Sequence, residues 1–590
     1  MRNEVFQKEE PNEFVLNSTE KVELEKCIEK FLKIKAIEKC GYEDGQFVSS
    51  YFLVPKPDGS FRFILNLKKF NNFVFTEHFK IEDIRTVLNI LNKDDLMCRL
   101  DLKDAYLLLA ICKEDSKYLK FKYKDEFYQF RALPFGLSSS PYIFTKVMKP
   151  VVNYLRKLGI RVVVYLDDFL ILGSSIVECR NSLYVTIYLL NYLGFIINFD
   201  KSVTTPIKIC KFLGLIINSE KMQLELPDEK RVKIKELVSR TLNLKRITIT
   251  NLAEIIGTLV AACPAVAYGW LYYKNLEKLK HDSIILNNYN LKCKVELNDL
   301  AKQDLLWWKN NVLKSVNKIR SSSFDLEIFS DASTTGWGAV CNFQEANGFW
   351  DVVELENHIN YLEIKAAFLG LKCFASNLVD KQILLRIDNI TALAYLNKMG
   401  GIKSDSLNAI TKEVWEWCKE RRLWIFAEYV ASKDNPADWG SRISNMDTEW
   451  ELSEEAFRVI VKKFGVPEID LFASRINRKC WRYCSWERDP EALAINALTV
   501  EWKKFFWYAF PPFSLISKVI KKIKEEGSTG ILLVPLWPSQ PWFPDFKKLL
   551  VSDTIEFTPS DHLLLSPCRN KIHPLAANLS LTVGVLSGKH

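Results

Sequence analysis

A multidomain chain combining α+β and α/β parts is the fold class this sequence predicts, on three observations. Its 590 residues suffice for roughly three to five domains at about 100–200 residues each. Over the first part of the chain, short apolar strands are mixed irregularly with helical stretches, as in α+β domains. After Ser321, Ser322 and Ser323 the pattern switches to strands (LEIFSDAS, GWGAVCNF, QILLRID) alternating with helices, as in an α/β domain. Composition agrees, since 48% hydrophobic and 26% charged residues exclude a disordered or collagen-like chain. The 81 Lys and Arg exceed the 72 Asp and Glu to give a formal +9, which suits a polyanionic partner. Fourteen cysteines run from Cys27 to Cys568 without a dense framework, and MRNEVFQKEE at the N-terminus lacks an apolar signal core. Reduced thiols and an intracellular location, in cytoplasm or nucleus, are therefore expected.

Residues 20–40 carry apolar side chains at helical spacing (Val22, Leu24, Cys27, Ile28, Phe31, Leu32), predicting a helix that ends near Gly41. In SSYFLVPKPDGSFRFILNLKKFN, Pro57-Asp58-Gly59 supplies turn chemistry between two extended runs, a hairpin carrying Lys56 and Arg62. Residues 96–111 read as a strand followed by mixed structure, and residues 160–173 as two apolar strands meeting at an acidic pair. Residues 225–320 read as helical and basic, ending with Trp307 and Trp308. Within them Ile255–Tyr273 is uncharged, but Gly257, Pro264 and Gly269 interrupt it. Two short buried helices broken at Pro264 are expected there, and no membrane span. Further boundaries fall near residue 325 and near 445–452, and the remainder, rich in Trp, Phe and Pro, reads as another α/β unit.

IRVVVYLDDFLILGSS sets Asp167 and Asp168 at the tip of a tight hairpin, where Asn-Gly or Asp-Gly would be the ordinary choice. Adjacent carboxylates repel, and near a core they are costly without a cation. A divalent metal resolves the conflict, and Asp101, ending the apolar strand of CRLDLKDAYLLL, would complete an oxygen cage for Mg²⁺. Either feature alone would be an ordinary solvated turn or strand end. Together with VPKPDGSFRFILNLKKFN, LDLKDAY, LPFGLSSSPYIF, YLDD and KFLGLII, in that order, they resemble the reverse transcriptases of retroelements over about the first 220 residues. That resemblance implies a right-hand polymerase with fingers and palm at 1–225, and thumb and connection helices at 226–324. It makes Asp101, Asp167 and Asp168 the catalytic triad, holding two metal ions for an in-line displacement. It further implies that Lys56 and Arg62 hold the incoming triphosphate and that Tyr106 rejects a ribose 2′-hydroxyl. Phe135 and Gly136 would line the nucleotide pocket, and Phe212, Leu213 and Gly214 would grip the primer terminus.

A second set of carboxylates follows. Asp331 lies in IFSDASTTGWGAV, Glu363 on an amphipathic helix NYLEIKAAFLGLKCFA, Asp388 at the end of QILLRIDN, and Asp438 at the start of the last helix in KDNPADWGSR. Four carboxylates at strand and helix ends can converge on a metal pair and activate water against a phosphodiester. Each alone is unremarkable, Asp388 fitting an N-cap and Glu363 a surface position. Their order and flanks resemble ribonuclease H, at 325–447. One departure stands out: AEYVASKDNPAD lacks the histidine many relatives carry, and Tyr429 occupies its neighbourhood, implying slowed rather than absent cleavage.

EIDLFASRINRKCWRYCSWERDPEALAINALTVEW and the segments after it resemble the region following ribonuclease H in DIRS-like retroelements, and more loosely Dam-type adenine methyltransferases. A Rossmann-like methyltransferase-type domain at 448–590 is implied, with Asp470 ending its cofactor strand. Its catalytic loop, however, is Phe510-Pro511-Pro512-Phe513, and a phenyl ring cannot accept a hydrogen bond from an adenine amino group, so fold without methyl transfer is expected. Cys480 and Cys484, with His562 and His573 far downstream, lack zinc-site spacing, and Trp537 and Trp542 in Pro-rich strand ends read as core. The resemblance implies two Mg²⁺ ions per site, with Mn²⁺ as the alternative. It also implies RNA template, DNA primer, RNA–DNA hybrid and dNTPs as ligands, no membrane, and an element-encoded tyrosine recombinase and capsid-like protein as functional partners. The competing readings are a catalytically idle nucleic-acid-binding remnant, opposed by the intact carboxylates, and a DNA adenine methyltransferase, opposed by Phe510.

Overall fold

The computed structural model describes residues 5–7, 9–11, 16–55, 61–321, 323–442, 450–566 and 571–589. Lys56 and the Pro57-Asp58-Gly59 turn lie outside the described residues. The chain divides into two compact units: Met1–Leu244, Gly257–Gly269 and Leu306–Arg320 in one, and Lys245–Ile256, Trp270–Leu305 and Ser321–His590 in the other. Residues 226–324 are thus shared between the units and do not form a body of their own.

In the first unit, helix α1 (Ser18–Lys33) begins at a capping box in which Asn17 and Glu20 bond each other's backbone N–H. It ends well short of Gly41, because Lys35 takes a left-handed φ of +55° and the Ala36 N–H turns back to the Phe31 carbonyl. Ile37–Cys40 then forms strand β1. Strands β2 (Tyr51–Pro55) and β3 (Phe61–Leu65) pair antiparallel, as the hairpin reading expects. Next come β4 (Leu96–Asp101), helix α2 (Ser140–Lys157), β5 (Arg161–Tyr165), β6 (Asp168–Gly173), helix α3 (Ile176–Tyr192) and β7 (Val203–Ile207). Four of these strands form one antiparallel sheet in the order β5-β6-β4-β7. Leu100, Phe169, Phe144 and Leu183 are among the fully buried side chains between that sheet and the two helices. Strands β8 (Ile209–Phe212) and β9 (Leu215–Asn218) form a hairpin turned by Leu213 and Gly214. Helix Ile249–Ala262 stops before Pro264, where Cys263–Ala265 continues as a single 3₁₀ turn. Among the described residues no helix is long and apolar enough to cross a membrane.

The second unit contains a five-stranded sheet built from β10 (Leu326–Ala332), β11 (Gly336–Cys341), β12 (Gln344–Phe349), β13 (Gln382–Ile387) and β14 (Trp424–Tyr429). Their order is β12-β11-β10-β13-β14, the first three antiparallel, β13 parallel to β10 and β14 parallel to β13. Helix α4 (Ile359–Ala375) packs on β10 and β11. It differs from the amphipathic helix expected: Leu362, Glu363, Ile364, Ala366 and Ala367 are all buried, so several sides of the helix are covered. The short helix α5 (Asp438–Ser441) sits against β11.

A seven-stranded sheet follows, from β15 (Ile469–Asp470), β16 (Arg482–Ser485), β17 (Ala494–Ile495), β18 (Trp507–Ala509), β19 (Thr529–Pro535), β20 (Ile555–Phe557) and β21 (Leu581–Ser587). Its order is β17-β16-β15-β18-β19-β21-β20, with β21 running antiparallel to both its neighbours. Reversal of strand order at β15 marks a doubly wound sheet.

Candidate functional site

The turn between β5 and β6 consists of Leu166 and Asp167, and Asp168 already belongs to β6. The two aspartates therefore do not share the hairpin tip. Leu166 holds φ +55°, a conformation that costs a non-glycine residue of order 1 kcal/mol or more and persists only where packing enforces it. Asp101, ending β4, lies directly across the sheet from Asp168, and the Leu102 N–H donates to the Asp167 carbonyl at 3.0 Å. All three carboxylates thus share one end of the sheet. Burial raises the Asp167 carboxyl above its ordinary range, and burial with the neighbouring Asp167 pushes Asp168 up to about 6. Arg62 and Lys201 oppose the shift at Asp167, so cationic side chains already face the cluster.

Asp101 is held by the loop after α3. Asn198 donates from Nδ2 to its Oδ1 at 3.0 Å and from its backbone N–H to the Asp101 carbonyl at 2.8 Å, while Ser202 Oγ accepts the Asp101 N–H at 3.1 Å. Sequence reasoning missed both residues, which sit about a hundred positions from their partner and carry no local signal.

In the second unit, Asp331 ends β10, Glu363 comes from α4, and Asp388 follows β13. Each brings one carboxylate oxygen within 4.8 Å of the other two, and no other such group of acidic, His or Cys side chains occurs among the described residues. The first-unit trio is not drawn together as closely. Glu363 is buried rather than on the surface; its carboxyl is pushed up to about 9 by burial first and by Asp331 and Asp388 next, and its Oε2 has no hydrogen-bond partner. Asp331, pushed up to about 6 mainly by burial, accepts a hydrogen bond from Ser441 Oγ. Asp388 accepts one from Ser432 Oγ, and the neighbouring Asn389, not Asp388, caps the next helix. Asp438 stands beside the trio, its Oδ1 paired with Arg442 Nη2 at 2.6 Å. Asp331, Glu363 and Asp388 floor a cleft of about 690 Å³ whose rim includes Thr335, Arg442 and Lys571.

Comparison with known proteins matches residues 54–217 to the family reverse transcriptase (RNA-dependent DNA polymerase). Residues 54–217 form a reverse transcriptase domain. An enzymatic polyprotein of Cassava vein mosaic virus is 26% identical over 458 residues, covering 74% of this chain and 67% of its own length. Polyprotein P3 of Commelina yellow mottle virus is 22% identical, covering 66% of this chain but 20% of its own length. The retrovirus-related Pol polyprotein from transposon 297 of Drosophila melanogaster is 24% identical over 250 residues, covering 42% of this chain and 23% of its own. Among solved structures, the foamy viral protease–reverse transcriptase in complex with dsDNA superposes with a TM-score of 0.47 at 18% identity, covering 72% of this chain and 86% of that one.

Within the reverse transcriptase domain, the remaining predicted residues fall into two groups. Arg62, on β3, lays its guanidinium over the Phe135 ring at 5.4 Å, and Phe135 meets Tyr106 edge to face at 5.3 Å. Burial pushes the Tyr106 phenol up to about 12, with Asp167 adding to the shift, so these residues form one wall beside the carboxylates. Gly136 takes φ +109°, and a Cβ there would meet the Leu65 carbonyl oxygen at 2.1 Å, which explains glycine in that turn. Asn71, missed by sequence reasoning, fixes the turn by donating to the Gly136 carbonyl at 2.9 Å and accepting from the Ser138 N–H at 2.9 Å. By contrast Phe212 is fully buried, so of the three residues expected to grip the primer only Leu213 and Gly214 keep exposed surface.

In the C-terminal sheet, Asp470 is buried and its two oxygens accept the Phe472 and Lys479 N–H groups. Phe513 packs edge to face on Trp537 at 5.2 Å; Phe510, Phe513 and Trp537 lie half-buried against the core and Trp542 is buried in it, while Pro512 is exposed. Cys480 and Cys484 are buried and belong to no metal-holding group among the described residues.

Proposed function

We propose that the chain is an RNA-directed DNA polymerase with a fused ribonuclease H, copying the RNA of a DIRS-like retroelement and degrading the RNA of the resulting hybrid. One observation carries the reading: a single chain bears two separate carboxylate clusters, one inside the reverse transcriptase domain and one flooring a cleft beside a β12-β11-β10-β13-β14 sheet. The domains would be fingers and palm at 1–225, thumb and connection at 226–324, nuclease at 325–447 and a methyltransferase-type fold at 448–590.

Hard, anionic oxygens converging with a buried unpartnered Glu363 Oε2 suit Mg²⁺ or Mn²⁺, two ions to a site. Asp101, Asp167 and Asp168 would hold them in one site, and Asp331, Glu363, Asp388 and Asp438 in the other. When bound, the ions supply charge neutralisation at the phosphate and a more acidic attacking hydroxyl or water. The chain's own residues do the rest. Arg62 offers a planar fork to the incoming triphosphate, backed by the Phe135 face. Tyr106, wedged against Phe135 and Phe144, excludes a 2′-hydroxyl by bulk. Asn198 and Ser202 keep Asp101 aimed while it works, and Ser441 and Ser432 do the same for Asp331 and Asp388.

The C-terminal domain is proposed as a methyltransferase-type scaffold without methyl transfer, supported by its strand order with one antiparallel strand and by the apolar Phe510–Phe513 loop. In this reading RNA template, DNA primer, hybrid and dNTPs are the ligands of the whole chain, a tyrosine recombinase and a capsid-like protein of the same element are its functional partners, and cytoplasm or nucleus is its location.

Primer extension on an RNA template and cleavage of labelled RNA in a hybrid test the two halves. Asp167→Asn is expected to lower extension by at least about a hundredfold and spare cleavage, and Asp331→Asn to do the reverse. Normal extension by Asp167→Asn would refute the palm assignment.

A further inference from the structure

In the nuclease reading, ions on the cleft floor answer the phosphate being cut, but phosphates further along the backbone meet the cleft's rim, where a cationic side chain would hold them. Two cationic side chains line the cleft, Arg442 and Lys571. Arg442 is occupied, its Nη2 lying 2.6 Å from Asp438 Oδ1. Lys571 makes no ion pair among the described residues and is exposed. It comes from the C-terminal domain, well over a hundred positions after the last of the carboxylates.

Its position is built, not incidental. The Lys571 N–H donates to Ser566 Oγ at 3.3 Å, and the next residue, Ile572, bridges to Leu565. Leu565 in turn pairs with Glu451. The segment carrying Lys571 belongs to a domain fastened to the elements around the carboxylates. Arg475 grips Glu354 through both guanidinium nitrogens, at 3.0 and 2.8 Å, with side-chain exposures of only 13% and 10%. Arg475 also donates to the Phe349 carbonyl at 3.1 Å, Arg488 reaches the Cys373 carbonyl at 3.2 Å, and Lys372 meets Glu491 at 3.0 Å. A bidentate, largely desolvated pair of this kind fixes orientation as well as contact.

We infer that Lys571, supplied in cis by the C-terminal domain, is a substrate contact of the nuclease cleft and binds a backbone phosphate of an RNA–DNA hybrid beside Asp331, Glu363 and Asp388. This rests on the nuclease reading and deepens it.

The test uses the full chain and a hybrid of defined sequence. Lysine acetylation by acetic anhydride, read by mass spectrometry, should fall about fivefold or more at Lys571 when hybrid is added, the ammonium being neutralised and covered. Lys571→Gln should raise the KM for hybrid cleavage about three- to tenfold with kcat unchanged, and flatten the salt dependence of binding by about one unit of slope. Lys571→Arg should restore both, and primer extension should not change in either variant. Equal acetylation with and without hybrid, or an unchanged KM and salt slope in Lys571→Gln, overturns the contact while leaving the nuclease reading intact. Protection of Lys571 in a chain that cleaves nothing would uphold the contact and refute the nuclease reading.

Discussion

Glu363 is the residue on which pH acts most visibly. Its carboxyl is pushed from an ordinary 4.5 to about 9, so between those values the folded chain holds a proton that the unfolded chain has released. Unfolding free energy therefore falls as pH rises through that window, and is unaffected by this group below it. Glu363→Gln keeps the shape and removes the titration. Without divalent ions, its thermal midpoint should gain on the parent's from pH 5 to pH 9 by about 2–4 °C or more, and added Mg²⁺ should cancel the gain by binding only the parent's full set of carboxylates. A difference constant across pH would contradict a buried, raised carboxyl. The acidic residues themselves were legible in the sequence through the order and flanks of their motifs, since each alone reads as an ordinary turn, strand end or helix position. Asn198, Ser202, Ser441 and Asn71 were not legible: each acts through one or two hydrogen bonds to a residue 65 to 110 positions away, which no local pattern encodes.

At the level of elements, the second cleft depends on how closely α5 approaches β11. Gly338 pairs with Asp331, and a Cβ on it would meet the Ala437 carbonyl oxygen at 2.4 Å and the Ser441 N at 2.7 Å. Both are backbone atoms, so the helix would have to move. Gly338→Ala is expected to displace Ser441 and Asp438, lowering hybrid cleavage at least about tenfold, at a stability cost of about 1–3 kcal/mol, while primer extension stays at the parent rate. Full cleavage activity in that variant would show that α5 does not position the cluster. Strand identities were readable from period-two apolar runs, and the β5–β6 hairpin falls within a residue or two of its expected place. The overrun of α1 has a physical cause: apolar spacing continues to Ile37, but a left-handed Lys35 redirects the same side chains into a strand, and nothing in lysine announces that conformation. The misjudged face of α4 has another, since helical periodicity reports one buried side and is silent about a second covering layer.

For the whole molecule, the Arg475–Glu354 pair is the joint on which the C-terminal domain is aligned. Arg475→Met should cost about 2–4 kcal/mol, because Glu354 is left buried with the Asp351 N–H and Lys365, at 3.8 Å, to answer it, and Glu354→Gln in the same chain should recover part of that loss. Thermal midpoints of the two single variants and the double variant measure the coupling, and strict additivity would show the pair to be incidental. Switches of pattern near residues 325 and 450 mark the boundaries the sequence leads one to expect. The sharing of residues 226–324 between two units was not readable there, since it is set by contacts between segments far apart in sequence.

Strand β21 lies between β19 and β20 and is drawn from residues 581–587, so the seven-stranded sheet stays open, with β19 unpaired along one side, until the ribosome has passed the codons for this stretch. A chain truncated between β19 and β21 would therefore expose the backbone edge of β19, and is expected to aggregate and to be cut by protease more readily than the parent.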